Sequence, residues 1–427
     1  MRTNTTLNHA HSESVVGDTH EHSTGKFVRD VLFANLPVPF QKIRTYLWII
    51  FFSRALGPAG FGIWSLFQTT LGTALLVTGM TQGNAMMRFL GGKRTPREVN
   101  CVFSSVLVAV SVSSIVVAAI LAVFSQGLSN LLFREPRGRT VLLLIALILP
   151  LETYFEGMRG LLRARRLNRS WAFFTLIRQV PEGLLIIAIV LVARNPVVAV
   201  GAYLGTTAIS VLLGAWYLVR RHKTRLMLPS RRVLSIYVPY GLALIPGALA
   251  SSLSFAADRY LVGYYLDLRQ VGIYAVCFTV SALGFFFCGP LTDVLLPEMA
   301  SLHDCGDWDQ FNARFSGVQK CVTGVSACAT ALLLAFPAQI LGVFTTREFV
   351  SGAATLAVLG LQGIFMSIVI LYVVMLYVTL RVWWTAIVWA SMGVLVFAID
   401  IILLHGSELL ALVTASLCPQ SSGRSWS

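Results

Sequence analysis

A chain of 427 residues, 56% of them hydrophobic and only 12% charged, is too apolar for a soluble globular domain, in which about a quarter of residues carry charge. Its apolar residues run in blocks of about twenty, the length of a helix that crosses hydrocarbon, rather than in the short alternating segments of a membrane β-barrel. The formal net charge of +14 would suit nucleic acid, but Lys and Arg gather in alternate short loops, which the positive-inside rule demands and a DNA-binding patch does not.

In chain order, residues 1–27 are polar, with His9, His11, His20 and His22 among Ser, Thr, Glu and Asp. They read as a disordered cytoplasmic tail rather than a metal site or a cleavable signal peptide. Spans are predicted near 28–54, 60–83, 99–124, 140–160, 170–193 and 196–219. Six more follow near 233–257, 271–297, 317–344, 353–379, 382–404 and 406–418. The expected class is therefore an all-α polytopic membrane protein of two six-helix bundles, 28–220 and 233–418. The last span looks incomplete: about a dozen residues precede the polar tail 419–427, which suggests a truncated, inactive product as one alternative.

The second loop carries Arg88, Lys93, Arg94 and Arg97. The fourth carries Arg159, Arg163, Arg165, Arg166 and Arg169, and the sixth runs from Arg220 to Arg232. Odd loops are poorer, with Arg54 in the first, Arg134, Arg137 and Arg139 in the third, and Arg194 in the fifth. This bias places the even loops and the N-terminus in the cytoplasm of a cell whose inner or plasma membrane holds the chain. Seven cysteines show no C-x-x-C spacing, and no metal site or disulfide framework is expected. Pro150, Pro181, Pro239, Pro246 and Pro290 fall inside predicted spans, where proline bends helices and frees carbonyls.

Charges inside apolar blocks are the candidate functional groups, because hydrocarbon tolerates them only when they are paired or line a polar cavity. In the fourth span Glu152, Glu156 and Arg159 share one helix face. In the fifth, Arg178 and Glu182 stand four apart beside Pro181, positioned to partner each other or the fourth-span acids across a cavity. Asp258 and Arg259 mark the outer end of the seventh span. Asp293 and Asp400 are isolated acids in apolar surroundings, candidates for proton coupling. Arg54 and Arg88 suit the membrane faces, and Trp383 and Trp384 suit interfacial anchoring.

Gly62-Ile63-Trp64-Ser65 after the first span has a counterpart in Gly272-Ile273-Tyr274-Ala275 after the seventh, an offset of half the helix count. Such a parallel repeat is typical of transporters, with the substrate path between the halves. The run from Ser53-Arg54-Ala55-Leu56-Gly57-Pro58 to Ala59-Gly60-Phe61-Gly62-Ile63-Trp64 resembles the first-loop signature of the Wzx-like polysaccharide flippases. That family is the polysaccharide transport branch of the superfamily that also holds the MATE exporters and the lipid II flippase. Asp258-Arg259-Tyr260-Leu261-Val262-Gly263-Tyr264-Tyr265, continuing to Tyr274, is similar to its seventh-helix signature, and Arg159-Gly160-Leu161-Leu162-Arg163 to its fourth loop.

The resemblance spans about residues 28 to 404, short of the full twelfth helix usual in the family. It implies a MATE-like pair of bundles in a V that rock to give alternating access. It also implies a cargo of undecaprenyl-diphosphate-linked oligosaccharide, carried from the cytoplasmic to the outer leaflet, with membrane lipid, polysaccharide polymerase and glycosyltransferases as partners. No cofactor is implied. A MATE-type cation-coupled drug or metabolite antiporter is one alternative, but a cationic cargo calls for an acidic cavity. A membrane enzyme of polysaccharide assembly is another, yet no nucleophile motif, phosphate loop or metal cluster is present in the sequence to support it.

Overall fold

The computed structural model describes residues 37–79, 86, 95–165, 167–285, 288–379, 384, 385, 387–389, 391, 392 and 394. Among these residues all regular structure is helical. The helices are α1 (Pro37–Gly79), α2 (Pro96–Val123), α3 (Ser125–Leu132), α4 (Arg137–Ala164), α5 (Asn168–Ala193) and α6 (Pro196–His222). They continue with α7 (Arg231–Tyr265), α8 (Leu268–Ser281), α9 (Cys288–Cys305), α10 (Trp308–Ala335), α11 (Pro337–Phe344) and α12 (Ala353–Val378). Among the described residues, eight helical stretches are long and apolar enough to cross a membrane. Their outward faces carry Val112, Ile115, Leu147, Leu212, Trp216 and Phe365, side chains that water would penalise and lipid accepts. The predicted tail 1–27, Arg88, Asp400, Trp383 and the last span lie outside the described residues.

Although α1 is continuous in hydrogen bonding, it is two arms. At about 1.5 Å per residue a straight helix would separate Trp48 from Trp64 by about 24 Å. Their rings instead meet edge-on at 5.3 Å, and Phe52 meets Trp64 at 4.9 Å. The reversal occurs at Gly57, whose φ of 66° and ψ of 179° belong to a region that only glycine enters without strain. The two arms are the first two predicted spans.

Several boundaries differ from the sequence-based expectation, each for a local reason. The predicted span 271–297 is broken: α8 ends at Ser281, a 3-10 turn covers Ala282–Phe285, and α9 restarts at Cys288. Here the backbones of Gly284 and Gly363 approach so closely that a Cβ on Gly284 would stand 3.2 Å from the other's Cα. Pro290 sits in the first turn of α9, where its missing N–H costs nothing. The span predicted at 317–344 stops at Ala335 because Pro337 opens α11 and forces Phe336 out of helical geometry. Between the spans predicted at 271–297 and 317–344 the chain is also mostly helical: Gly306 turns left-handed (φ 73°) and Asp307 caps α10 by accepting from the Gln310 N–H. Finally, α7 continues two turns past Asp258, to Tyr265, so Asp258 and Arg259 are not at the end of their helix.

The apolar packing divides unevenly along the helices. At the Gly57 end, one core joins α1, α4, α5 and α6 to α8, α10, α11 and α12, through residues such as Phe67, Leu142, Val190, Val276, Leu341 and Leu356. Toward the opposite end, which carries Arg165 and His222, the packing splits. One cluster takes Phe103, Phe155, Leu161, Trp171 and Tyr237 of α2, α4, α5 and α7; the other takes Leu295, Met299, Phe311 and Leu371 of α9, α10 and α12. The helices thus share a core at one end, while toward the other α7 packs with α2, α4 and α5, apart from α9, α10 and α12.

The repeated motifs meet at that shared end. A Cβ on Gly62 would collide with the carbonyl oxygen of Leu268, four residues before Gly272. One on Gly272 would collide with the carbonyl oxygen of Pro58, four residues before Gly62. This reciprocity is what a two-fold relation between duplicated segments requires, and only glycine lets two helix backbones touch this way. Around the crossing, Arg54 donates to the Val343 carbonyl at 3.4 Å and Phe61 meets Phe349 edge-on at 6.3 Å.

Candidate functional site

Four ionisable side chains from α1, α4 and α5 form a network in the first half. The guanidinium of Arg178 donates through Nη1 to Glu152 Oε2 at 2.7 Å and through Nη2 to Glu152 Oε1; its Nε donates to Glu182 Oε2 at 2.8 Å. Arg44 donates through Nη1 to the other oxygen of Glu182 at 2.7 Å. The Tyr203 hydroxyl of α6 donates to Glu152 Oε1, and Thr207 lies 3.5 Å from Arg178 Nη2. Two arginines and two glutamates sum to zero charge, as burial of ions in low dielectric requires.

The local sequence explains the geometry. Arg178 and Glu182 are one helical turn apart, so they face the same way. Glu152 and Glu182 each lie just after a proline, Pro150 and Pro181. Gly183 completes the seat: a Cβ there would stand 3.1 Å and 3.2 Å from Cγ and Cδ of Arg44, so its absence lets the arginine stem lie flat on α5.

Arg178, Glu152 and Glu182 are buried, with side-chain exposures of 8%, 5% and 1%, whereas Arg44 retains 18%. Arg44 is where this network reaches open space. A cavity of about 330 Å³ lies between the two arms of α1, α7 and α8. Arg44 and Arg259 line it with Gln41, Thr45, Gln68 and Trp64, and among the described residues no carboxylate lines it. Arg44 lies over the Trp48 ring at 4.5 Å, and Arg259 over Phe278 at 4.7 Å. The adjacent Asp258 is buried and accepts from the Tyr274 hydroxyl at 2.5 Å.

Of the residues singled out in the sequence, Arg178, Glu182 and Glu152 come together as one cluster, and Arg259 lines the cavity. Glu156 and Arg159 pair with each other at 2.5 Å, partly exposed, with Arg159 over Trp171 at 5.4 Å. The Asp293 side chain and Asp400 lie outside the described residues. The sequence reading missed Arg44. Its signal was available, since Arg44 is a charge within the predicted span 28–54, but its partner is 138 residues away.

Long apolar helices, a core joined at one end, and arginines facing a cavity define a polytopic helical membrane protein with a cationic, polar chamber. The chain matches the family described as polysaccharide biosynthesis protein over residues 27–303, more than half its length, and belongs to that family. No curated protein matches it in sequence. The fold is similar to the lipid II flippase MurJ in an inward closed conformation, with a TM-score of 0.62, 14% identity, and coverage of 92% of this chain and 94% of that one. It is also similar to an inward-facing multidrug resistance MATE family transporter of the MOP superfamily, with a TM-score of 0.59, 16% identity, and coverage of 86% and 95%. At such identities the likeness concerns the fold.

Proposed function

We propose that the protein carries a lipid-diphosphate-linked oligosaccharide across the inner or plasma membrane for cell-surface polysaccharide synthesis, as a flippase rather than an enzyme. The carrying observation is the cavity, whose described lining holds two arginines, amides, hydroxyls and aromatic rings, with no acid among those residues. A diphosphate cannot enter hydrocarbon unaided, and the planar, permanently charged guanidinium binds phosphate oxygens in pairs. Hydroxyls, amides and indole faces suit the sugar. A cationic drug would meet repulsion from Arg44 and Arg259, which disfavours the antiporter reading.

In this reading Arg44 and Arg259 touch the diphosphate, while Glu152, Arg178 and Glu182 hold Arg44 in place. Asp258 orients the start of the same segment as Arg259, and Glu156 with Arg159 forms a charged rim. The halves 28–220 and 233–418 rock about the Gly62–Gly272 crossing. The N-terminus and the Arg165 end face the cytoplasm, in keeping with the basic even loops. Polysaccharide polymerase and glycosyltransferases act beside it.

The test is translocation of a polyprenyl-diphosphate oligosaccharide in proteoliposomes, paired with complementation of a strain lacking its own O-antigen translocase. Wild-type protein is expected to pass both, and Arg44→Gln and Arg259→Gln to lose at least tenfold in rate. Arg44→Lys should fall between, since it keeps the charge but loses the fork. A wild-type chain that moves no such lipid but exports a cationic dye would overturn the reading.

A further inference from the structure

Arg44 borders two spaces. One is the polar cavity between the halves. The other is a crevice of about 160 Å³ between the first arm of α1 and α5, lined by Phe40, Ile43, Leu47, Val180, Leu184 and Ile187. Phe40, Ile43, Val180 and Leu184 are exposed on the outer face of these helices, where the surroundings are lipid. A single guanidinium thus stands between a hydroxyl- and amide-lined chamber and an apolar slot. Its Nη1 is engaged by Glu182, but its Nε is buried without a hydrogen-bond partner. An unpaired buried donor on a cation is a vacancy suited to an anionic oxygen.

We infer that the α1–α5 crevice is a lateral seat for the phosphate-proximal isoprene units of the carrier, with Arg44 holding the phosphate at the junction while the sugar enters the cavity. This rests on the function proposed above and adds to it the route of the hydrocarbon chain. The crevice is smaller than a typical ligand pocket, so it takes only the segment nearest the phosphate and leaves the rest in the bilayer. Gly183 is a positioning residue here: its missing Cβ lets the Arg44 stem lie between crevice and cavity rather than rise into either. A second apolar crevice, of about 230 Å³ and lined by Phe173, Ile177, Leu213 and Trp216 of α5 and α6, provides an internal control. It also borders a guanidinium, but that one, Arg178, is already held by two carboxylates.

The experiment places the full chain in lipid nanodiscs with a polyprenyl phosphate bearing a diazirine near its phosphate, followed by photolysis and peptide mapping. Adducts are expected on α1 and α5 around Ile43 and Leu184 at least fivefold above those around Leu213. Leu184→Trp, which fills the crevice from a half-exposed position, should reduce them to the level at Leu213, and Arg44→Gln should reduce them severalfold. A diazirine phosphatidylglycerol should label both crevices alike. Equal labelling of the two crevices by the polyprenyl probe, or labelling indifferent to both substitutions, overturns the inference. Should Leu184→Trp fail to fold, the wild-type ratio of the two crevices decides alone. Labelling needs no turnover, so the outcomes separate: uniform labelling with intact wild-type flipping removes only the lateral seat. Focused labelling without flipping removes the transport reading and leaves the prenyl-phosphate seat.

Discussion

In the first half, α1, α4 and α5 bury two arginines and two glutamates in one bonded network, closed by a tyrosine of α6. In the second half, α12 carries no charged residue, and the charges of α10, Asp309, Arg314 and Lys320, are all exposed. Its buried polar groups there are hydroxyls, such as Thr330, which donates to the Gly360 carbonyl at 3.0 Å. These two groups of helices therefore meet the membrane in different ways. Buried ions demand mutual compensation, so each fixes the rotamers of the others and holds the first half rigid around Arg44. Helices α10 and α12 bury no ion and so have no such constraint.

Removing Arg178 strikes this contrast hardest. Arg178→Met leaves Glu152 without a cation in the buried interior, while Glu182 keeps only Arg44, and losing one partner of a buried pair costs about 3–5 kcal/mol. The expected result is a large fall in detergent melting temperature and in folded yield, partly recovered when Glu152→Gln is added. Little change in melting would dissolve the distinction between the halves.

Gly62→Val or Gly272→Val tests the seam rather than either half. Each drives a side chain into the opposite backbone, and overpacking costs about 1–3 kcal/mol. The readout is labelling of a thiol placed at Phe349, now fully buried, which should rise several-fold as the Gly57 end opens. Equal effects of the two substitutions are expected from the reciprocal contact; a strongly unequal pair would argue against the two-fold relation.

Tyr274→Phe removes the hydrogen bond to Asp258, whose carboxylate is one of the few buried charges in the segments that follow Gly57's half. Leaving that group short of a donor costs about 1–3 kcal/mol, read as a lower midpoint in thermal unfolding. The smallest effect belongs to Arg314→Met. Its pair with Glu298 spans 3.4 Å with both side chains exposed, and such pairs contribute about 0–1 kcal/mol. An effect there rivalling that of Arg178 would mean that exposure is a poor guide to which ions matter in this fold.

Much of the candidate site was legible along the chain. Arg178 and Glu182 sit one turn apart inside an apolar block, and Glu152 in another, so an ion cluster in the membrane was the natural expectation. Arg44 was passed over because its partner, Glu182, is distant in sequence and no periodicity links α1 to α5. The Gly62 and Gly272 motifs stood out as a repeat, yet nothing local told that they touch. The 3-10 turn at Ala282–Phe285 was hidden as well, because Gly284 there meets Gly363 from another helix.

Sequence alone determined that the chain is helical, that it crosses a membrane many times, and that Glu152, Arg178 and Glu182 lie within its spans. Those outcomes follow from backbone hydrogen bonds made within a few residues and from apolar area summed along each block, both local quantities. Tertiary structure decided which charges compensate which, where the two halves share a core, and that Arg44 stands at the meeting of a polar cavity and an apolar crevice. Those depend on packing between helices far apart in the chain, where close backbone approach and the need to pair buried ions select one arrangement from many that the same hydropathy pattern allows.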